Sequence, residues 1–378
     1  MSDETEQNRE ENAYEENAQT ISLHPRPREQ RAVNSEAIVI AREMSGLTQA
    51  ALARVSGLSQ PQISRFEDGI SQPSDAELNI LAQYLRVPVK FFMESDLKRS
   101  VFNSFYRKRK SVSQKTLMQF NSRVCFRQVQ IDRLLRKSEM DSDPLPRFDP
   151  DELKGGNRTI AEALRQLLKL PPGPIKHLVP ALEDAGVIIV LDNFGVTKID
   201  GVSTYSNNGS PIIFLNMHAP NSRRRFSLAH EFAHTVLHRY MAPDVDEQAD
   251  ALACELLMPA REIYSDLADS RLTLGRLADL KLKWKVSMAA LLFRAKTLEV
   301  IKPRQYSYLW AQMSSAGYRI QEPYEDLMVD QEPSLEKELI AFHRRDLGYS
   351  IEELADLLDI SELEIVKRYD LPDDIKPA

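Results

Sequence analysis

The chain has 378 residues, 42% of them hydrophobic and 28% charged, with a formal net charge of −7. That length and apolar content imply two to three globular domains, and the acidic balance excludes a general nucleic-acid sponge. No apolar run reaches the roughly 18 residues of a membrane span, no signal peptide precedes the chain, and its two cysteines, Cys125 and Cys254, are far apart, which points to a reducing cytoplasm.

Residues 1–33 are polar, rich in Glu, Gln and Asn and poor in aromatics, and read as a disordered acidic tail. Residues 34–95 then carry apolar positions at helical spacing, broken by short turns: AIVIAREMSG, LTQAALARVSG, LSQPQISRFEDG and SDAELNILAQYLRV. This stretch resembles the Xre-type helix-turn-helix of phage-repressor relatives. Gln49, Ala53 and the Gly57 turn match its second helix and turn, residues 59–66 its recognition helix, and Glu67-Asp68-Gly69 the end of that helix. The resemblance implies a recognition helix in the major groove of DNA, with Gln60, Gln62, Ser64 and Arg65 on the bases and Thr48 and Gln49 on the backbone. The same module is also compatible with protein contact alone or with a homodimer.

Residues 96–156 read as a basic helical segment and a linker. The base-rich run includes Arg107–Lys110, Arg123, Arg127, Arg133, Arg136 and Lys137, which beside a helix-turn-helix would neutralise flanking phosphates or form a solvated helix face. Phe102, Phe105 and Tyr106 read as docking residues, and DSDPLPRFDPDELKGG at 141–156 reads as the linker.

Between residues 157 and 300 helices alternate with strands: a helix from 160, a second at 175–185, strands at 186–191, 201–205 and 211–215, then FSLAHEFAHTVLH at 226–238. In that last run His230 and His234, four apart, stack on one face of a helix about 6 Å along its axis. Two imidazoles so placed can hold one Zn²⁺, with Glu231 reaching a water as general base; the chemistry is peptide hydrolysis. The apolar neighbours Phe226, Leu228, Phe232, Ala233, Val236 and Leu237 make the helix mostly buried, where an unpaired His or Glu is costly.

A third ligand is sought in PDVDEQADALACELLMP. Helical spacing puts Asp246, Ala249, Asp250, Ala253 and Leu257 on one face, with Glu247 about 100° away beside Ala251 and Cys254. Asp246 is read as the third ligand, with Glu247 as the alternative, and Asp250 as the group that holds a ligand histidine in its tautomer. A capped acidic helix start at Asp244 and Asp246 is the plain structural reading. His238 lies too far along its helix to be a ligand, whereas Tyr205 and His218 are candidate oxyanion partners.

RRRFSLAHEFAHTVLHR followed by DEQADALACELLMP resembles the ImmA/IrrE family of zinc metallo-endopeptidases. Its second signature, Glu-x-x-Ala-Asn/Asp-x-Phe-Ala-x-x-Leu-Leu-Met-Pro, is matched in its middle by Ala249-Asp250 and Leu252-Ala253 and at its end by Leu256-Leu257-Met258-Pro259. The family's ligand Glu falls on Asp246, one methylene shorter, so the resemblance implies a helix about 1 Å closer or a weakened site. The strands ahead of the motif would present an edge to an extended peptide, and residues 272–298 look like a closing helical bundle.

Residues 301–378 form a C-terminal helical region. LGYSIEELADLLDISELEIVKRY resembles another small helix-turn-helix, but Glu362 and Glu364 stand where DNA would repel them, so a protein-contact or regulatory cap is expected. The sequence thus reads as mainly α with a small β-sheet: a helix-turn-helix bundle at 34–95, a gluzincin-like metallopeptidase domain at 157–300, and a helical C-terminal segment. The resemblances imply a cytoplasmic, DNA-binding regulatory endopeptidase that cleaves a repressor or antitoxin-like protein. The alternative is a non-catalytic transcription regulator that keeps the peptidase-like domain as a sensor or partner-binding module.

Overall fold

A computed structural model describes residues 32–98, 112–138, 145–149, 152–237, 244–269, 271–328 and 332–372. The acidic tail up to residue 31, the aromatics Phe102, Phe105 and Tyr106, the basic run Arg107–Lys110, His238 and parts of the 141–156 linker lie outside them. The described residues form sixteen α-helices and one three-stranded sheet, and no helix among them is long and apolar enough to cross a membrane.

Four helices open the described chain: α1 (Ser35–Met44), α2 (Gln49–Ser56), α3 (Gln60–Glu67) and α4 (Asp75–Leu85). Each starts at a side chain that accepts a hydrogen bond from an otherwise unpaired helix N–H: Asn34, Thr48, Ser59 and Ser74. Ser59 with Gln62 and Ser74 with Glu77 form reciprocal capping boxes. Gly57 ends α2 at φ 76°, a left-handed conformation that glycine adopts without steric cost. Ile38, Ile40, Leu52, Ile63 and Leu81 are fully buried among these helices.

α5 (Gln114–Leu135), 22 residues long, takes up the predicted basic helix. Two of its arginines correct the expectation of a phosphate-facing or solvated surface, whereas Arg136 stays exposed and pairs with Asp96 (3.0 Å). Arg127 is buried and paired with Glu336 (2.7 Å) and Asp192 (3.3 Å). Arg133, also buried, meets Asp96 (2.9 Å), Glu94 (3.1 Å) and Asp359 (2.5 Å). A guanidinium fork satisfied by several carboxylates tolerates burial that a lone cation would not.

Two short helices, α6 (Asn157–Leu167) and α7 (Leu178–Glu183), lead into the strands β1 (Ile188–Asp192), β2 (Gly201–Tyr205) and β3 (Pro211–Asn216). The sheet order is β1-β3-β2, with β1 parallel and β2 antiparallel to β3, so β2 is an edge strand. Alternation along the strands divides the sheet between two cores. Ile189, Ile213 and Leu215 face a core built with α8 (Asn221–Leu237), α9 (Val245–Leu257), α10 (Ala260–Ala268), α11 (Leu274–Trp284) and α12 (Met288–Thr297). Ile188, Val190, Val202, Ile212 and Phe214 face the other, which contains Phe120, Ile131 and Leu134 of α5.

α13 (Pro303–Ser315) adds Leu309 and Met313 to the first core. The last helices, α14 (Leu335–Arg345), α15 (Ile351–Leu358) and α16 (Glu362–Tyr369), complete the second with Leu339, Ile340, Leu354, Leu358, Ile365 and Tyr369. Their apolar faces are therefore turned onto the chain's own sheet. A sheet with both faces covered needs apolar residues in succession rather than alternation, which is how IIVL and PIIFL read.

Candidate functional site

The His-x-x-x-His turn lies on α8, whose flanking Leu228, Phe232, Ala233 and Val236 lock it into the first core. Both histidines are buried, His234 completely. Their Nε2 atoms stand 3.0 Å apart, and Asp246 Oδ1, from the first turn of α9, lies 3.5 Å from His234 Nε2 and 4.0 Å from His230 Nε2. These donors form the one group suited to a metal ion among the described residues. Donors held 2.0–2.1 Å from a tetrahedral ion are about 3.3 Å from one another, so the spacing fits without rearranging the helices.

Asp250, one turn after Asp246, receives the His230 Nδ1 proton at 2.8 Å. The bond selects the Nδ1–H tautomer and leaves Nε2 as a lone pair aimed at the cluster. Glu247 points elsewhere, into a cleft it shares with Arg158, Ala251 and Cys254.

Glu231 is buried behind the cluster, where Ser203 Oγ of β2 donates to its Oε2 at 2.9 Å. Burial pushes its carboxyl up to about 7, with His230 and the Ser203 hydroxyl pulling the other way. Gly201 permits this approach: a Cβ there would fall 3.0 Å from Glu231 Cγ and 3.3 Å from the Phe214 carbonyl. Neither Ser203 nor Gly201 is singled out in the sequence, because only the β2–β3 pairing brings them under α8. A glycine opening a strand ahead of a buried His-x-x-x-His motif is the available signal.

Of the two oxyanion candidates, Tyr205 donates its hydroxyl to the Thr235 carbonyl (2.8 Å) and lies beneath the Arg147 guanidinium (5.1 Å). His218 is exposed in the turn after β3.

On the helix-turn-helix, Thr48 caps α2 and is exposed, as are Gln60 and Arg65 on α3. A relay orients part of this surface. Arg42 clamps Glu67 through two hydrogen bonds, Gln49 donates to Glu67 (2.9 Å), and Gln60 donates to Gln49 (2.8 Å). Gln62 is held in the Ser59 capping box and reaches Glu77 (3.3 Å), and Ser64 donates to Asp68 (3.1 Å). Of the residues assigned to bases from sequence, Gln60 and Arg65 thus have the freest approach to a groove.

Comparison with known proteins gives two matches. Residues 182–296 match a metallopeptidase family model described as the IrrE N-terminal-like domain. Residues 38–92 match one described as helix-turn-helix. No curated protein and no solved structure matches the chain.

Proposed function

From a chain that joins a helix-turn-helix DNA-binding domain to an IrrE N-terminal-like domain of a peptidase family, we propose a cytoplasmic, DNA-binding zinc metallo-endopeptidase. It cleaves a repressor or antitoxin-like protein and so controls gene expression. The observation that carries this reading is the convergence of two histidine nitrogens and one carboxylate beside a buried, proton-accepting Glu231.

His230, His234 and Asp246 would hold the ion, and a set of three protein ligands is that of catalytic rather than structural zinc sites. When bound, zinc supplies Lewis acidity, polarising a peptide carbonyl and acidifying a water molecule. Glu231, buried beside the ligands and held by Ser203, would serve as the general base toward a water there and would return the proton to the departing amine. Ser203 holds the Glu231 carboxylate in place, Asp250 orients His230, and the edge strand β2 receives the peptide in extended form. Gln60 and Arg65 contact base edges, Thr48 and Gln49 the DNA backbone, and Gln62 and Ser64 support the recognition helix from their own hydrogen bonds.

Asp246 favours a second reading. It is one methylene shorter than the family's Glu and its side chain is about half exposed, which suits a regulator that has retired the chemistry and kept the domain to bind a partner. Metal content of the purified protein separates the two. One zinc per chain, retained in Glu231→Gln and Glu247→Ala and lost in Asp246→Ala, supports the enzyme. A metal-free wild type prepared without chelators supports the regulator. Independently, Arg65→Ala is expected to weaken operator binding by about 1–3 kcal/mol, and unchanged binding would remove Arg65 from the interface.

A further inference from the structure

Next to the His230 cluster the structure has a cavity of about 540 Å³ that the family-matched stretch only half encloses. Its inner wall is α8 and α9: Phe226 and Ser227, one turn before the motif, and Asp250, the partner of His230. The outer wall comes from beyond residue 296, where Tyr306, Trp310 and Met313 of α13 and Tyr318 just after it close over the space.

That outer wall is held rigidly. The Tyr306 and Trp310 rings stack at 8° with centroids 6.2 Å apart. The following segment is pinned by the fully buried Lys281 of α11, which bonds both Glu322 (3.0 Å) and Glu325. Glu322 also accepts the backbone N–H groups of Met288 (2.8 Å) and Ala289 (3.1 Å) at the start of α12. Glu325 accepts from the Ser222 side chain and N–H at the start of α8. The strap is therefore tied to the helix that carries His230.

Charge decides what fits. The aromatic faces that would attract a substrate cation already carry the chain's own: Lys296 lies 4.9 Å from the Tyr306 centroid and Arg319 5.8 Å from that of Trp310. An incoming carboxylate would meet Asp200, Asp250, Glu322 and Glu325, which outnumber the two guanidiniums, Arg223 and Arg319, on the same walls. An apolar side chain meets neither penalty and gains burial against Phe226, Phe293 and Met313.

We propose that this cavity is a specificity pocket that takes a bulky aromatic or aliphatic side chain of the peptide substrate, and that residues 303–325, outside the family-matched domain, make the protein selective. This deepens the peptidase reading and rests on it for the identity of the occupant as a substrate. The volume accommodates one such side chain together with the backbone that bears it.

The test uses intrinsic fluorescence. The chain has two tryptophans; Trp284 is buried and bonded to Asp266, so Trp310 reports on the pocket. Zinc-loaded full-length Glu231→Gln is titrated with a blocked alanine pentapeptide carrying a central phenylalanine, and with its central-aspartate counterpart. The phenylalanine peptide is expected to shift Trp310 emission and to bind at least about tenfold more tightly. Ala289→Phe, which fills the pocket, read by Trp310 emission, and Trp310→Ala, which opens it, read by calorimetry because it removes the reporter, should each erase the preference while metal content stays at the wild-type value. Equal binding of the two peptides, or a preference that survives Ala289→Phe, overturns the proposal. Cleavage of both peptides by the wild type without preference also overturns it and leaves the peptidase reading standing. Preferential binding with no cleavage removes the peptidase reading and upholds the pocket.

Discussion

α8 and α5 pack on opposite faces of the same sheet, and both bury charged side chains, but they do different things with them. On α5 every buried cation has carboxylate partners from distant parts of the chain: Arg127 takes Glu336 and Asp192, and Arg133 takes Glu94, Asp96 and Asp359. Around the motif on α8 the polar groups converge on one another: His230 and His234, 3.0 Å apart at Nε2, meet the half-exposed Asp246 of α9, and Glu231 is buried beside them. The first arrangement is complete and fixes architecture. The second brings ligand-type atoms to one point, the geometry of a candidate metal site. Buried polar groups thus mark a candidate site when they converge on a shared point rather than pairing off with distant opposite charges.

The comparison can be broken most directly at Glu231. Glu231→Gln is expected to lower peptide hydrolysis about 10²–10⁴-fold with zinc retained; activity within a few-fold of wild type would put α8 in the same structural class as α5. Next comes Arg133→Ala, which removes the closest cation from buried Asp359, leaving it only Lys90 at 3.7 Å, and is expected to cost about 3–5 kcal/mol of stability in denaturant unfolding. A loss below 1 kcal/mol would mean that the cross-link is ornamental.

Asp250→Asn should weaken zinc affinity about 10–100-fold, read by competition with a chromogenic chelator, because the His230 tautomer is no longer enforced. Glu336 gives the smallest effect and a sharp sign. Burial alone would raise its carboxyl, yet Arg127 and the Tyr369 hydroxyl hold it below the ordinary carboxylate range. Its contribution is therefore fully present above the unfolded value of about 4.3 and is lost as pH falls through the lower folded value. Glu336→Gln should lower the melting temperature at pH 7 and narrow its gap to wild type below pH 4; a constant gap across that range would deny the ion pair.

Local spacing carried much of this into the sequence. The three-helix entry of the DNA-binding module is written in Thr48, Ser59, Ser74 and Gly57, each acting within four residues, and the i, i+4 histidines act within one turn. The facing of Asp246 and Asp250 also follows from helical period alone. What could not be read is whatever crosses the chain. Ser203 lies 28 residues before Glu231, and Glu336 and Asp359 lie 209 and 226 residues from their arginines. A run of arginines looks the same in sequence whether its acids are phosphates or distant carboxylates; for Arg127 and Arg133 they are carboxylates. The tethering of 318–325 by Lys281 is hidden for the same reason.

The sheet with two covered faces has a consequence for how the molecule comes apart. α14–α16, at the far end of the chain, cover the face formed by Ile188, Val190 and Phe214, and the matched 182–296 stretch contains none of those helices. Cut out at its family boundaries, that stretch would present a flat apolar surface with open edges, the geometry that invites self-association. Packing of α14–α16 then closes the half that holds the candidate site, and removing those helices is equivalent, for a site about a hundred residues earlier, to removing part of its foundation. Native-state hydrogen exchange should accordingly find β1 and β3 opening together with α15, as one cooperative unit drawn from two distant stretches of the sequence.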